Sequence, residues 1–160
     1  MTTYVRVGSR HRAGVKWQTW ELLKHWDVAA SNAFVGNYLR LSLLVREGLG
    51  DQLLREAEGY FSYMAEQTGT LWEHDTPTGS CSHGFASYAT VLILRGVMGM
   101  DVDLPKKTVS VRKTDANVRF CQVTLPVGEK TLSVSRMQDA KGEQSFSADL
   151  PPGWKLVQQP

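Results

Sequence analysis

The sequence predicts an α-then-β chain, and three observations carry that expectation. Apolar residues recur at helical spacing through roughly the first 100 residues, and from Asp101 onward the period shortens to two. Leu104-Pro105 falls between the two patterns and marks the boundary. Glycines close the helical segments: Gly48 and Gly50, then Gly69, then Gly99.

Lys16–Trp26 places Thr19, Leu22, Leu23 and Trp26 on one helical face, with Trp17 and Trp20 beside it. Ser31 or Asn32 caps the next helix, AFVGNYLRLSLLVREG, where Phe34, Tyr38, Leu41 and Val45 share a stripe. Asp51 is expected to cap QLLREAEGYFSYMAEQ, with a stripe of Leu53, Ala57, Tyr60 and Met64 that Leu54 and Phe61 widen. The short GLGD link makes these two an antiparallel αα-hairpin. After a polar loop, His83–Met98 reads as one crowded inner helix rich in small residues. Strands are expected at Thr108–Arg112, Val118–Leu125, Lys130–Arg136, Gln144–Asp149 and Trp154–Val157, separated by turn residues. Neither part closes its own apolar faces, so the chain is expected to be a fragment or to depend on a partner.

Composition narrows the classes. Hydrophobic residues at 42% and charged residues at 21% describe a globular protein. A net charge of +2 with dispersed Lys and Arg argues against nucleic acid as a partner. No apolar run approaches the roughly 20 residues of a membrane span, and residues 1–15 lack the apolar core of a signal peptide. Compartment and oligomeric state stay open. Cys81 and Cys121 sit in no CxxC arrangement and are read as free thiols.

The chemistry concentrates in Gly69–Ser87, GTLWEHDTPTGSCSHGFAS. A carboxylate beside an indole in a partly dry cleft has its charged form disfavoured, as a tunable acid or base requires, so Glu73 next to Trp72 is a candidate. The alternative is a surface glutamate following a buried tryptophan. His83 opens a helix and could meet a sugar hydroxyl or Glu73, or simply be satisfied by backbone. His74, Asp75 and His83 match no recognised metal spacing, so no metal and no cofactor is expected. Trp17, Trp20, Trp26 and Trp72 could include a sugar-stacking platform; packing is the default for Trp17 and Trp20, and Trp72 has the better claim to the cleft. Asn32, Asn37 and Arg40 have capping and surface roles as the simplest reading. No P-loop, GxSxG, HExxH or Rossmann glycine pattern occurs.

SNAFVGNYLRLSLLVREG, followed by YFSYMAEQTGTLWEHDTPTGSCSHGFASYATVLILRGVMGMD, resembles the closing segment of bacterial α-L-rhamnosidases, over roughly residues 25 to 103. Those enzymes are six-hairpin glycosidases, an (α/α)6 barrel followed by a C-terminal β-sandwich. The resemblance implies that residues 1–103 are the last helical hairpins of such a barrel and residues 104–160 part of the sandwich. It implies a general base at Glu73 in TLWE, a sugar-contacting His83 in SHGFAS, Trp72 as the aromatic before the base, and Asn32 near the cleft. Phe85 stands where many members have Trp, and Arg95 and Met98 are unusual for an inner helix.

The implied reaction is inverting hydrolysis of a terminal α-L-rhamnoside, the partner being a rhamnose-containing oligosaccharide or glycoside. Inversion needs a second carboxyl, an acid about 6.5–9.5 Å from the base so that water fits between. The family carries that acid upstream, and neither Glu21 nor Asp27 lies in a comparable setting. The isolated chain is therefore expected to be inactive. Two other readings stay open: a non-catalytic module binding carbohydrate or protein through its β part, and a six-hairpin hydrolase for another sugar.

Overall fold

The structure, a computed structural model, describes residues 34–159. Asn32 and the helix expected over residues 16–26, with Trp17, Trp20 and Trp26, lie outside the described residues. Within them the order is helical first and β second, a mixed α and β chain as the sequence predicts.

Helix α1 (Phe34–Glu47) and helix α2 (Gly50–Thr68) form the expected hairpin. The buried stripe of α1 is Asn37, Leu41, Leu44 and Val45, rotated from the expected one. A polar partner sets the rotation: the Tyr88 hydroxyl donates to Asn37 Oδ1 at 2.8 Å, which makes an inward Asn affordable and leaves Tyr38 outside. On α2 the stripe is Gly50, Leu53, Ala57, Phe61 and Met64, close to expectation. Arg40 clamps the two helices through a bidentate pair with Glu56, at 2.5 and 2.7 Å. Gly69 ends α2 in the left-handed region (φ 70°), its N–H bonded to Ala65 O at 2.8 Å.

The cap expected at Asp51 differs. Leu49 holds the N-cap position of α2 without a side-chain bond, and Asp51 lies inside the first turn, paired with Arg55 at 2.5 Å. The exposed N–H of Asp51 is instead taken by Asp115 Oδ1 at 3.0 Å, a carboxylate from the β part. An acid supplied 64 positions away serves the positive end of the helix as a local cap would.

The single helix expected over 83–98 runs as one helical stretch from Gly84 to Met98. Its hydrogen-bond register changes along it, from a 3₁₀ turn (Gly84–Ser87) through helix α3 (Tyr88–Ile93) to a π turn (Leu94–Met98), with αR backbone at each junction. Close packing accompanies the π register. A Cβ on Gly96 would lie 2.4 Å from Leu53 Cδ2, and one on Gly50 would lie 2.3 Å from the Gly96 carbonyl oxygen. The π turn thus meets α2 backbone to backbone, an approach only glycine permits.

Six strands follow: β1 (Met100–Asp103), β2 (Thr108–Val111), β3 (Phe120–Val127), β4 (Lys130–Gln138), β5 (Gln144–Asp149) and β6 (Lys155–Gln158). Strand β1 was not expected, since MDVD is short and half aspartate, a residue strands disfavour. It pairs antiparallel with β2, and β2 pairs parallel with β6. Strands β3, β4 and β5 form an antiparallel meander. The two three-stranded sheets share one core: Met100, Val109 and Val111 from the first meet Leu132 and Val134 from the second. Met98 of the π turn joins the same cluster, so the last helical turn is anchored in the β core.

Candidate functional site

The loop between α2 and the 3₁₀ turn is held by backbone bonds at three points. His83 N–H donates to Leu71 O at 2.8 Å, Glu73 N–H to Ser80 O at 2.9 Å, and Phe34 N–H to Glu73 O at 3.0 Å. These bonds fix both sides of Glu73, because its N–H and C=O are each tied to another segment. Its carboxylate is about one-third exposed, and Oε2 accepts the Ser80 N–H at 3.3 Å. A Cβ on Gly79 would sit 3.0 Å from that same Oε2, at a φ of 89°, so Gly79 keeps the loop backbone against the carboxylate. The other oxygen, Oε1, stands 3.9 Å from His74 Nε2, beyond hydrogen-bond reach.

His83 lies beside Phe34, with ring centroids 4.5 Å apart, and Phe85 sits 5.8 Å from Phe34 and 5.7 Å from His83. Phe34 is therefore the hinge of the site: its backbone holds Glu73 and its ring holds His83. Phe85 is 73% exposed, an aromatic face open to whatever approaches. His83 Nε2 is buried and has no partner among the described residues, leaving one polar group uncommitted.

Trp72 is placed otherwise than beside a ligand. The indole is 2% exposed, its Nε1–H donates to Thr68 Oγ1 at 2.7 Å, and Tyr63 packs edge-on at 5.5 Å. A ring so enclosed, with its one donor taken, offers no surface for stacking. Phe85 is the exposed ring of this cluster. Asp75 is exposed, and Asn32 lies outside the described residues. Sequence spacing places Phe34 in the core stripe of α1, and the family resemblance marks Phe85 only as a departure from Trp. The signal for both was the run SHGF and the position of Phe34 one turn past the expected cap.

Beneath the loop lies a second polar group that the spacing did not show. Burial pushes the Tyr88 hydroxyl well above its ordinary 10.0, with a further rise from Tyr60. Burial also raises Tyr60, helped by the charge of Asp75. The Tyr88 hydroxyl has Asn37 as its acceptor, while the Tyr60 hydroxyl is buried without a partner among the described residues. Tyr88→Phe is expected to lose about 1–2 kcal/mol of stability, since Asn37 Oδ1 is left unpaired, whereas Tyr60→Phe is expected to be neutral or slightly stabilising. Because both folded-state values are raised, this stabilisation is present below pH 10.0 and declines as the pH climbs past it. Urea midpoints between pH 7 and 11 read both effects; a Tyr60→Phe loss equal to that of Tyr88→Phe overturns the assignment.

Among the described residues no cluster of three or more His, Cys, Asp or Glu is arranged to hold a metal ion, and no helix is long and apolar enough to cross a membrane. Both cysteines are free and partly exposed. Comparison of the chain with protein-family models, with curated proteins and with solved structures finds no match.

Proposed function

We propose that this chain carries the base side of an inverting glycoside hydrolase of the six-hairpin type, acting on terminal α-L-rhamnosides. One observation carries the reading: a partly exposed carboxylate, Glu73, is pinned on both backbone sides and joined through Phe34 to the His83–Phe85 aromatic pair. A general base must be held in place yet reach water, and a third-exposed carboxylate with one fixed N–H partner meets both needs. Sugar rings present apolar C–H faces and polar edges, which suit the open Phe85 ring with the His83 ring beside it.

In this reading the helical hairpin belongs to an (α/α)6 barrel, and the two sheets with their shared core belong to a β-sandwich behind it. Glu73 takes a proton from water as it attacks the anomeric carbon, and His83 orients a hydroxyl. The general acid that protonates the leaving oxygen comes from a segment outside the described residues, so the described part alone does not complete the reaction. Glu73→Gln, tested in the full reading frame, is expected to lower hydrolysis of an aryl α-L-rhamnoside by roughly 10²–10⁴-fold with little change in KM. Unchanged hydrolysis overturns the base assignment and favours a binding module; hydrolysis of a different aryl glycoside alone replaces the sugar.

A further inference from the structure

Where the end of α1 and the π turn meet the first sheet, a cleft of about 360 Å³ lies outside the proposed site. Arg46, Arg95 and Arg112 line it with Asp101 and Ser110. The three guanidinium groups come from three elements: the last turn of α1, the π turn, and the residue just after β2. Two of them have a carboxylate near. Arg46 Nε stands 3.2 Å from Glu47 Oε1, and Arg95 Nη2 stands 3.2 Å from Asp101 Oδ1, all but Glu47 about half exposed. Exposed single-contact pairs of this kind hold their partners weakly.

Arg112 is different. It is half-buried, and its one side-chain bond among the described residues runs from Nη2 to the Val45 carbonyl at 2.7 Å. That acceptor is neutral, so it compensates geometry and not charge. A guanidinium stays charged in proteins and presents five N–H donors in a planar fork. Taking such a group partly out of water without a counter-charge is unfavourable unless the remaining donors meet an acceptor. The geometry points to an oxyanion as that acceptor: we propose that this cleft binds a carboxylate or phosphate group, with Arg112 as the forked anchor and Arg95 as the second cation. Both oxyanions match the spacing of a guanidinium fork, and Ser110 adds a neutral donor. The weak hold of Asp101 leaves Arg95 able to turn to the incoming charge.

The test is a titration of the full chain with sodium phosphate and, separately, with sodium acetate, at constant ionic strength. Backbone amide resonances of residues 95–101 and 110–112 are followed. The expected result is a saturable shift confined to these residues in at least one arm, with Kd on the order of 1 mM. Saturation by phosphate alone identifies a phosphoryl group, and saturation by acetate identifies a carboxylate. Arg95→Gln leaves the Arg112–Val45 bond intact and is expected to weaken that binding about tenfold. Shifts that do not saturate in either arm, or that persist unchanged in Arg95→Gln, overturn the proposal and leave Arg112 as a tether for the end of α1.

Discussion

Gly99→Ala is expected to destabilise the chain by about 2–6 kcal/mol, the sum of a left-handed backbone penalty and an immovable clash. Gly99 ends the π turn at φ 72°, and its carbonyl accepts the Arg112 N–H at 2.9 Å. A Cβ there would lie 2.1 Å from the Arg112 carbonyl oxygen and 3.0 Å from Thr114 Cγ2. The first neighbour is backbone and cannot rotate away. Relief would require shifting the end of β2, where Arg112 also holds the end of α1. Gly69→Ala separates the two contributions, because Gly69 has φ 70° but nothing within 4 Å of its Cβ position. That variant is expected to lose only about 1–2 kcal/mol. Urea unfolding with an unchanged m-value measures both. Equal losses at the two glycines would remove the clash from the account.

Arg136→Met is expected to lose about 1–3 kcal/mol, although it replaces a fully buried cation with an apolar chain of similar length. Burial of a guanidinium without a carboxylate is itself unfavourable, so the sign depends on what the donors serve. Arg136 Nη1 donates to Thr114 Oγ1 at 2.6 Å, and Nη2 to the carbonyls of Ala116 and Val118 at 3.1 and 3.0 Å. Those acceptors belong to the irregular segment between β2 and β3, which lies outside both sheets. Removing the guanidinium leaves Val118 O without a donor. It also takes one partner each from Thr114 Oγ1, which keeps the Ala116 N–H, and Ala116 O, which keeps the Val118 N–H. One buried acceptor left unpaired outweighs the relief of burying no charge. The effect should travel, since Asp115 in the same segment serves the N-terminus of α2. Arg136→Lys is expected to fail nearly as badly, because an ammonium cannot span the three acceptors of a fork. A Met variant as stable as the wild type would show that the segment is held by Gln144, which bonds both the N–H and C=O of Thr114.

Elements were legible where their cause is local. Strand β5 was expected at Gln144–Asp149 and lies there, because a Lys-Gly turn and strict alternation bound it. Helix α2 stops at Gly69 for a reason its neighbours supply, the left-handed cap. The helix over 83–98 is continuous as expected, but its π register at Leu94–Met98 is not legible, since it accompanies the contact between Gly96 and α2, which is made by residues distant in the chain. Strand β1 was invisible for a similar reason: two aspartates obscure its alternation, and only pairing with β2 makes it a strand.

The same division runs through the candidate site. Glu73, His83 and Phe85 could be gathered from one short stretch of sequence, and the loop bonds keep them together because Leu71–His83 and Glu73–Ser80 pair nearby residues. Sequence by itself determined the order and kind of the elements, helices before strands, because apolar period and glycine stops act over one or two turns of chain. Tertiary structure alone decided which polar and aromatic groups face inward. Asn37 is buried because Tyr88, 51 positions away, donates to it, and Arg136 because Thr114, 22 positions away, accepts from it. Those choices are made by partners distant in the chain, so no local pattern contains them.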